Sequence, residues 1–495
     1  MAALEPKAYS APDKPLRFAV IGAGMAGILC GIKLREAGFD HFTIYEKADR
    51  VGGTWRENTY PGIACDVPAH LYSYSFAPNP EWSHRFAPGD EIQAYFETIT
   101  RDYGLGRYIR FGDAVTRLRY AGGKWNLETA KGHRDTVDIV LAATGVLHHP
   151  RMPEIEGLDT FAGPCFHSAR WDHGVSLEGR RVGIVGTGSS AVQIVSAIVK
   201  RVRRLVLFQR TAQWILPQEN PPYSEAEKEE FRRNPRRIYE LREQLAQGFV
   251  EHFSNVVVDA DSPQLRLLEA MCLANLENNV NDPELREKLR PRYRAGCKRL
   301  VVSPDFYQAI QSPNAELVTE AIARVEPRGV RTKDGRLHEL DVLVLATGFH
   351  VDRFLRPIEV IGRGEKLLDD VWNPRPYAYL SVAIPDFPNL FLLNGPNGPV
   401  GNFSLIDVAE LQLAYILQLV ELIRAGVCRE ITATHEATAR FEKDRAEAAK
   451  KTVWVTGCQS WYLDDRGLPM AWPWTFDRFR KVMARPTFED YALAL

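Results

Sequence analysis

The chain lacks the features that would send it to a membrane, a nucleic acid or a metal. No run approaches the ~18 consecutive apolar residues of a spanning helix. Charge of either sign is missing in excess: 62 Lys+Arg stand against 63 Asp+Glu, so no bulk field draws the protein to nucleic acid or an anionic surface. The first residues, MAALEPKAYSAPDKP, contain no apolar leader core and read as a short disordered lead-in. Cysteine is sparse: Cys30, Cys65, Cys165, Cys272, Cys297, Cys428 and Cys458 make an odd seven with no CxxC pair. That excludes a zinc site and a local dithiol relay, and predicts buried free thiols in a reducing compartment, hence a cytoplasmic protein without bound metal. The bulk is ordinary for a globular protein, 45% hydrophobic and 25% charged over 495 residues, enough chain for two or three domains.

What the sequence does have is two glycine fingerprints. The first, Gly22-Ala-Gly24-Met-Ala-Gly27, follows the apolar run Arg17–Ile21. Gly22 permits the tight turn, Gly24 lets backbone approach a pyrophosphate, and Gly27 lets helix and strand pack closely. A second run, His41–Tyr45, ends at Glu46, an acid placed to accept from ribose hydroxyls. Beyond it, Gly52-Gly53 allows backbone to pass a flat ring, which favours FAD at this site. The second fingerprint is Gly186-Thr187-Gly188-Ser189-Ser190-Ala191, after Arg181–Val185, with Ala in the third glycine position. Its second strand, Arg204–Phe208, ends at Gln209-Arg210-Thr211, a cation where an acid would mark NAD; Arg210 suits a 2′-phosphate and predicts NADP(H). Two dinucleotide sites in one chain imply electron transfer between two cofactors.

An imperfect repeat supports this. Asp138-Ile-Val-Leu-Ala-Ala-Thr-Gly145 and Asp341-Val-Leu-Val-Leu-Ala-Thr-Gly348 each follow a fingerprint and end on Ala-Thr-Gly. The expected fold is α/β, with two Rossmann-like dinucleotide-binding domains. Residues 1–150 form the first part of the FAD domain, 151–342 the NADP domain, and 343–495 the return to the FAD domain plus a C-terminal cover. The second copy is longer because 217–295 is rich in charge and helix formers. Ser224-Glu-Ala-Glu227 reads as a capping box, and Glu225, Glu229, Arg232, Arg233, Arg236 and Arg237 as a solvated helical face. This helical insertion is expected to roof the crevice between the domains. Phe387–Asn394 reads as one more buried strand, a helix is expected over about 405–425, and the aromatic stretch 459–474 reads as a mobile cover.

Phe161, Gly163, His167, Trp171 and Asp172 spell FxGxxxHxxxW followed by Asp, and Gly52, Gly53, Trp55, Tyr60, Pro61, Gly62 and Asp66 spell GGxWxxxxYPGxxxD. In these residues the chain resembles the class B flavoprotein monooxygenases, and among them the type I Baeyer–Villiger monooxygenases, from about residue 17 to about 480. The resemblance implies that Glu46, Thr54, Trp55, Arg56, Glu57, Asp66, Tyr72, Val115 and Leu405 neighbour FAD, and that Ala64, Cys65 and Asp66 lie where nicotinamide meets flavin. It implies an NADP set of Thr187, Gly188, Ser189, Ser190, Ala191, Val192, Gln193, Arg210, Thr211 and Lys298, with Trp461 closing over NADP. Arg299 falls on the family's catalytic arginine, with Asp66 holding it, and His167 and Trp171 fall at a domain linker.

The implied reaction is insertion of one oxygen atom from O2 beside a ketone carbonyl, through a C4a-peroxyflavin, giving an ester or lactone. The partners expected are a small apolar ketone and O2, with no nucleic acid and no membrane span, in a monomer or homodimer. N- or S-oxygenation by the same class is the alternative.

Overall fold

The computed structural model describes residues 15–401 and 403–495. Residues 1–14, all but the last of the expected lead-in, and Asn402 in the loop after Gly398 lie outside the described residues. Two five-stranded parallel sheets organise the chain. The first runs in the order Leu390–Leu392, Ile139–Ala142, Phe18–Ile21, Phe42–Tyr45, Ile109–Arg110. The second runs Ala315–Val318, Arg204–Phe208, Arg181–Val185, Val342–Leu345, Cys165–His167. Central strands such as Phe18–Ile21, Ile139–Ala142 and Val342–Leu345 are buried along their whole length, the mark of a sheet covered on both faces. The helices Met25–Glu36 and Ser189–Ile198 follow the two fingerprints and cover their sheets with Ile28, Leu29 and Ile32, and with Val192, Ile194 and Val195. The returning strand is shorter than expected, Leu390–Leu392, because Asn389 and Asn394 on either side take left-handed φ of 57° and 52°. The long helix Leu405–Arg424 then packs back on the first domain's core.

Between the sheets the chain crosses twice, and the crossings pair with each other. Arg151 N donates to the Gly348 carbonyl at 2.8 Å, His350 N to the His149 carbonyl at 2.9 Å, and Pro150 and Phe349 form an antiparallel bridge. His167, at the end of an edge strand of the second sheet, buttresses this ribbon. Its Nδ1 accepts from Ala169 N at 3.1 Å, which puts the proton on Nε2 to donate to the Gly348 carbonyl at 3.0 Å. Gly163 in the same motif has no room for a side chain: a Cβ would lie 2.4 Å from the Asp341 carbonyl oxygen.

The segment expected to be helical carries Glu225–Arg233, Pro235–Phe249, Pro263–Asn279 and Pro283–Lys288, with a single π-turn at Val250–Ser254. Ser224 and Glu227 form the expected capping box. Most of the charged face pairs along the helix, as in Arg233–Glu229, but Arg232 leaves it to reach Glu81 at 2.6 Å. Arg242 is the main clasp onto the first domain. Its Nη1 donates to the carbonyls of His70 and Leu71, each at 3.0 Å, and of Ser73 at 2.8 Å, while Nη2 pairs with Asp407.

Three cysteines depart from the expectation of buried free thiols. Cys297 and Cys458 are joined by a disulfide across a sequence separation of 161, with Cα atoms 6.2 Å apart. Sequence spacing detects only local pairs, and this one is made by tertiary folding. Cys165 is exposed at the start of an edge strand whose other end, at His167, is buried. Cys30, Cys65, Cys272 and Cys428 are buried and free. Among the described residues no helix is long and apolar enough to cross a membrane.

Candidate functional site

The first fingerprint forms a cradle with no room for side chains. Gly22, at φ +101°, has the Ala143 carbonyl oxygen 2.6 Å from where a Cβ would sit; at Gly27 that distance to the Gly22 carbonyl oxygen is 1.8 Å. Gly24 and Gly53 face one another so closely that a Cβ on Gly53 would meet the Gly24 Cα at 3.0 Å, and Gly52, at φ +115°, would collide with Gln93. The two glycine pairs therefore present adjacent bare backbone, which suits a pyrophosphate and a flat ring, and the helix N-terminus at Met25 faces the same loop. Glu46, 3% exposed, ends the second strand. Its Oε1 accepts from Ala48 N at 2.9 Å and from Arg56 Nη1 at 3.1 Å, and its Oε2 accepts from Ala23 N at 2.8 Å. A carboxylate has about four lone-pair sites, so one on Oε2 remains for a ribose hydroxyl.

Around this cradle the predicted neighbours assemble. Thr54, Trp55, Arg56 and Glu57 form one short helix. Arg56 holds Glu46 and Glu57 together, and burial raises the Glu57 pKa less than Lys47, Arg170 and Arg56 lower it, leaving it below the usual range. Trp55 Nε1 donates to Tyr72 Oη at 3.2 Å. Val115 begins a strand two residues after Asp113, whose N–H donates to the Glu46 carbonyl at 3.1 Å. Leu405 opens the long helix beside Phe403 and Ser404, which line a small cavity with Leu71 and Asp407.

The second fingerprint repeats the geometry more loosely. Gly186, at φ +115°, would collide with the Ala346 carbonyl at 2.3 Å, whereas Gly188 faces open space and Ala191 is fully buried against the sheet. Thr187 Oγ1 donates to the Thr211 carbonyl at 2.8 Å, closing the loop. The helix from Ser189 also grips the first domain. Gln193 Nε2 donates to the Ala64 carbonyl at 3.0 Å, Tyr60 Oη donates to Gln193 Oε1 at 3.0 Å, and Ser190 Oγ donates to Tyr60 Oη at 3.1 Å. Burial pushes the Tyr60 phenol up to about 12, which keeps it a donor. Gly62 lies flat on this helix, its would-be Cβ 2.7 Å from the Gln193 carbonyl oxygen. The YPG triplet and the Ser190–Gln193 turn are thus one interface between the two nucleotide-fingerprint domains, a pairing that neither stretch of sequence reveals.

Lys298 and Arg299, in the bend before the strand Val301–Val302, turn to different partners. Lys298 faces Arg210; burial, then Arg210, lowers its pKa, and it has no carboxylate partner among the described residues. Two cations left facing each other are a ready seat for a phosphate dianion. Arg299 instead donates from Nη2 to Asp66 Oδ2 at 2.8 Å, with 20% and 28% of the two side chains exposed. Burial works against its charge, but Asp66 outweighs that and holds the guanidinium above its ordinary value. Cys65 lies beside this pair, its thiol pushed up first by burial and then by Asp66. Sequence reasoning missed two aromatic neighbours. Phe253, on the π-turn, has its ring centroid 5.1 Å from the Arg299 Cζ. Tyr462 is buried near Arg299 and Asp66, and Trp461 stacks on it at 3.9 Å. Only adjacency to Trp461 could have flagged Tyr462; nothing local flags Phe253.

A family model described as "Flavin-binding monooxygenase-like" matches residues 15–228. A Baeyer–Villiger monooxygenase of Streptomyces coelicolor is 39% identical over 488 residues, 96% of this chain and 92% of that one. The chain belongs to the flavin-binding monooxygenases, on the Baeyer–Villiger branch. An uncharacterised monooxygenase of Mycobacterium tuberculosis is 47% identical over 478 residues, 96% of this chain and 95% of that one. Among solved structures, the NADP+ complex of cyclohexanone monooxygenase from Rhodococcus sp. Phi1 superposes with a TM-score of 0.86 at 29% identity, covering 97% of this chain and 100% of that one. An oxidised steroid monooxygenase bound to NADP gives 0.87 at 28%, with the same coverage. The α/β fold with two dinucleotide-binding halves, read from the fingerprints, is the fold of this family.

Proposed function

We propose that this protein is an NADPH- and FAD-dependent Baeyer–Villiger monooxygenase, taking O2 and a small apolar ketone to an ester or lactone. The observation that carries the proposal is the Arg299–Asp66 pair at 2.8 Å, beside Cys65 and Phe253, with Lys298 turned away toward Arg210. When bound, NADPH would supply two electrons and FAD would pass them to O2, the source of the inserted oxygen atom; the residues do the rest. The Gly22–Gly27 loop, Gly52-Gly53 and Glu46 would hold the first cofactor, with Trp55 and Tyr72 among its neighbours. Thr187 to Gln193, Thr211, Arg210 and Lys298 would hold the second, the two cations taking the 2′-phosphate.

Arg299 stays protonated because a guanidinium is weakly hydrated and Asp66 compensates its burial. Its free N–H groups can hold the ketone oxygen as the carbonyl carbon becomes tetrahedral, an electrostatic role worth about 3–4 kcal/mol for one well-aimed donor. Asp66 fixes the direction of those donors, and the Phe253 ring excludes water from one side. Val115 and Leu405 complete the walls on the FAD side, and Trp461 the cover over NADP.

The proposed division is 1–150 and 343–495 for the FAD half, with 151–342, including the insertion 217–295, for the NADP half. A cytoplasmic monomer or homodimer is the working expectation. The test is NADPH consumption over a panel of linear, cyclic and aromatic ketones, with product masses checked for one added oxygen atom. Ester or lactone supports the reading; oxygenation of amines or sulfides alone would replace it with N- or S-oxygenation.

A further inference from the structure

The disulfide joins the two stretches of chain that flank the candidate NADP site. Cys297 directly precedes Lys298 and Arg299, and Cys458 lies three positions before Trp461. Both cysteines are buried in one apolar cluster with Leu300, Val453 and Trp454, against which Trp461 packs. Downstream of Trp461 the chain is well fastened. Tyr462 fills the space over Gly401, where a Cβ would fall 2.0 Å from the phenol oxygen. Met470 N donates to the Tyr462 carbonyl at 2.6 Å, Trp472 N to the Gly398 carbonyl at 3.0 Å, and the buried Arg445 holds the Pro469 carbonyl.

Upstream the situation differs. Among the described residues, no backbone hydrogen bond ties 457–461 to another element, and Gly457 and Gln459 are exposed. The Cys297–Cys458 bond is the anchor at that end. The stretch expected to be a mobile cover is therefore clamped at both ends, one of them covalently.

We propose that the Cys297–Cys458 disulfide is a positioning element for the nicotinamide nucleotide. It holds Trp461 near the loop segment that carries Lys298 and Arg299, and its reduction releases that grip. The redox step balances simply. A dithiol gives two electrons and two protons, the S–S bond breaks to two thiols, and the dithiol closes to its own disulfide. Freed at 457–461, the cover no longer shields the cofactors, so NADP(H) leaves more readily and reducing equivalents are lost as hydrogen peroxide. The inference rests on the NADP(H) site proposed above.

Its test begins with a thiol count on unfolded, untreated holoenzyme: five free cysteines are expected, rising to the full seven after dithiothreitol. The dissociation constant for NADP+, the KM for NADPH and the peroxide formed per NADPH are then measured before and after reduction. Loss of the clamp should raise the first two by about fivefold or more, the equivalent of one or two ordering contacts, and raise peroxide, while kcat at saturating NADPH stays near its starting value. The double variant C297S/C458S should match the reduced enzyme and ignore dithiothreitol. Cleavage within 457–461 by a protease of broad specificity should quicken in both. Seven thiols in untreated protein, or an NADP+ affinity and peroxide yield indifferent to reduction, would overturn the proposal. If the double variant does not fold, reduced wild-type enzyme carries the comparison. If no ketone is oxygenated in either state, the monooxygenase reading fails, while thiol count and NADP+ affinity still decide on the clamp.

Discussion

Arg299 concentrates the chemistry at the scale of one residue. Replacing it by Ala should leave NADPH-driven reduction of the flavin intact and abolish ester formation, a drop of about 10²–10³ in turnover if one charged donor is lost; stopped-flow absorbance and product analysis read the two steps separately. Arg210→Ala should raise KM for NADPH by roughly tenfold or more and leave NADH almost unaffected, because only the 2′-phosphate carries the charge it faces. Equal effects on both nucleotides would remove Arg210 from that contact. His70 makes a prediction about pH. It is 1% exposed, both ring nitrogens lack partners among the described residues, and the rings of Tyr223 and Phe231 pack edge-on against it. Burial, with Arg242 adding to it, lowers its pKa to about 4. The unfolded chain, titrating near 6.5, then binds more protons than the native state between those values. Stability is thus lost as pH falls from 6.5 toward 4, by on the order of 3 kcal/mol from this group. His70→Phe should flatten the fall of Tm between pH 6.5 and 5; an undiminished slope would assign the acid sensitivity to other groups, such as His148, lowered to about 4 by burial and His149. Arg210 was legible from its place after the second fingerprint's second strand, and Arg299 with Asp66 only through the family resemblance. His70 and Phe253 were not, because their surroundings come from the insertion, whose packing has no local sequence code.

Elements were legible in proportion to how local their causes are. Strand, tight turn and helix at each fingerprint follow from glycines whose missing Cβ is a matter of a few neighbours, and the Ser224–Glu227 cap from a spacing of three. The π-turn Val250–Ser254 had no such signal, yet it aims Phe253 at the guanidinium. The YPG turn was read as a match to a pattern, and its physical cause emerged only with Ser189–Ile198 packed on it. Gly62 adopts φ +81° and has the Gln193 carbonyl oxygen and the Ala197 methyl within 2.8 Å of a would-be Cβ. Gly62→Ala should therefore cost about 1–3 kcal/mol from strain and overpacking, lower Tm, and weaken NADPH binding through the displaced Ser190–Gln193 turn. A variant with unchanged Tm and KM would show that this interface yields more freely than its contacts suggest.

For the whole molecule, two sheets and two crossings decide what can move. The sequence repeat revealed two related halves, but not that the connections between them pair, since hydrogen bonds between residues two hundred positions apart leave no trace in spacing. His167 was assigned a linker position by resemblance, and its Nε2 proton on the Gly348 carbonyl gives that position a physical content. His167→Ala should leave the affinity of both nucleotides near normal and slow turnover, read as a fall in kcat with little change in KM; the opposite pattern would make His167 a binding residue. The cover was read without the disulfide that ties Cys458 to Cys297, because a bond between distant cysteines leaves no trace in local spacing. The ribbon at Pro150 and Phe349 has a consequence of its own. Since the outgoing and returning strands lie side by side, everything between His149 and His350 is a cassette whose two ends touch. A relative's cassette could be grafted at that junction without rerouting the host chain, exchanging coenzyme preference wholesale, provided the incoming piece keeps a cysteine in register with Cys458.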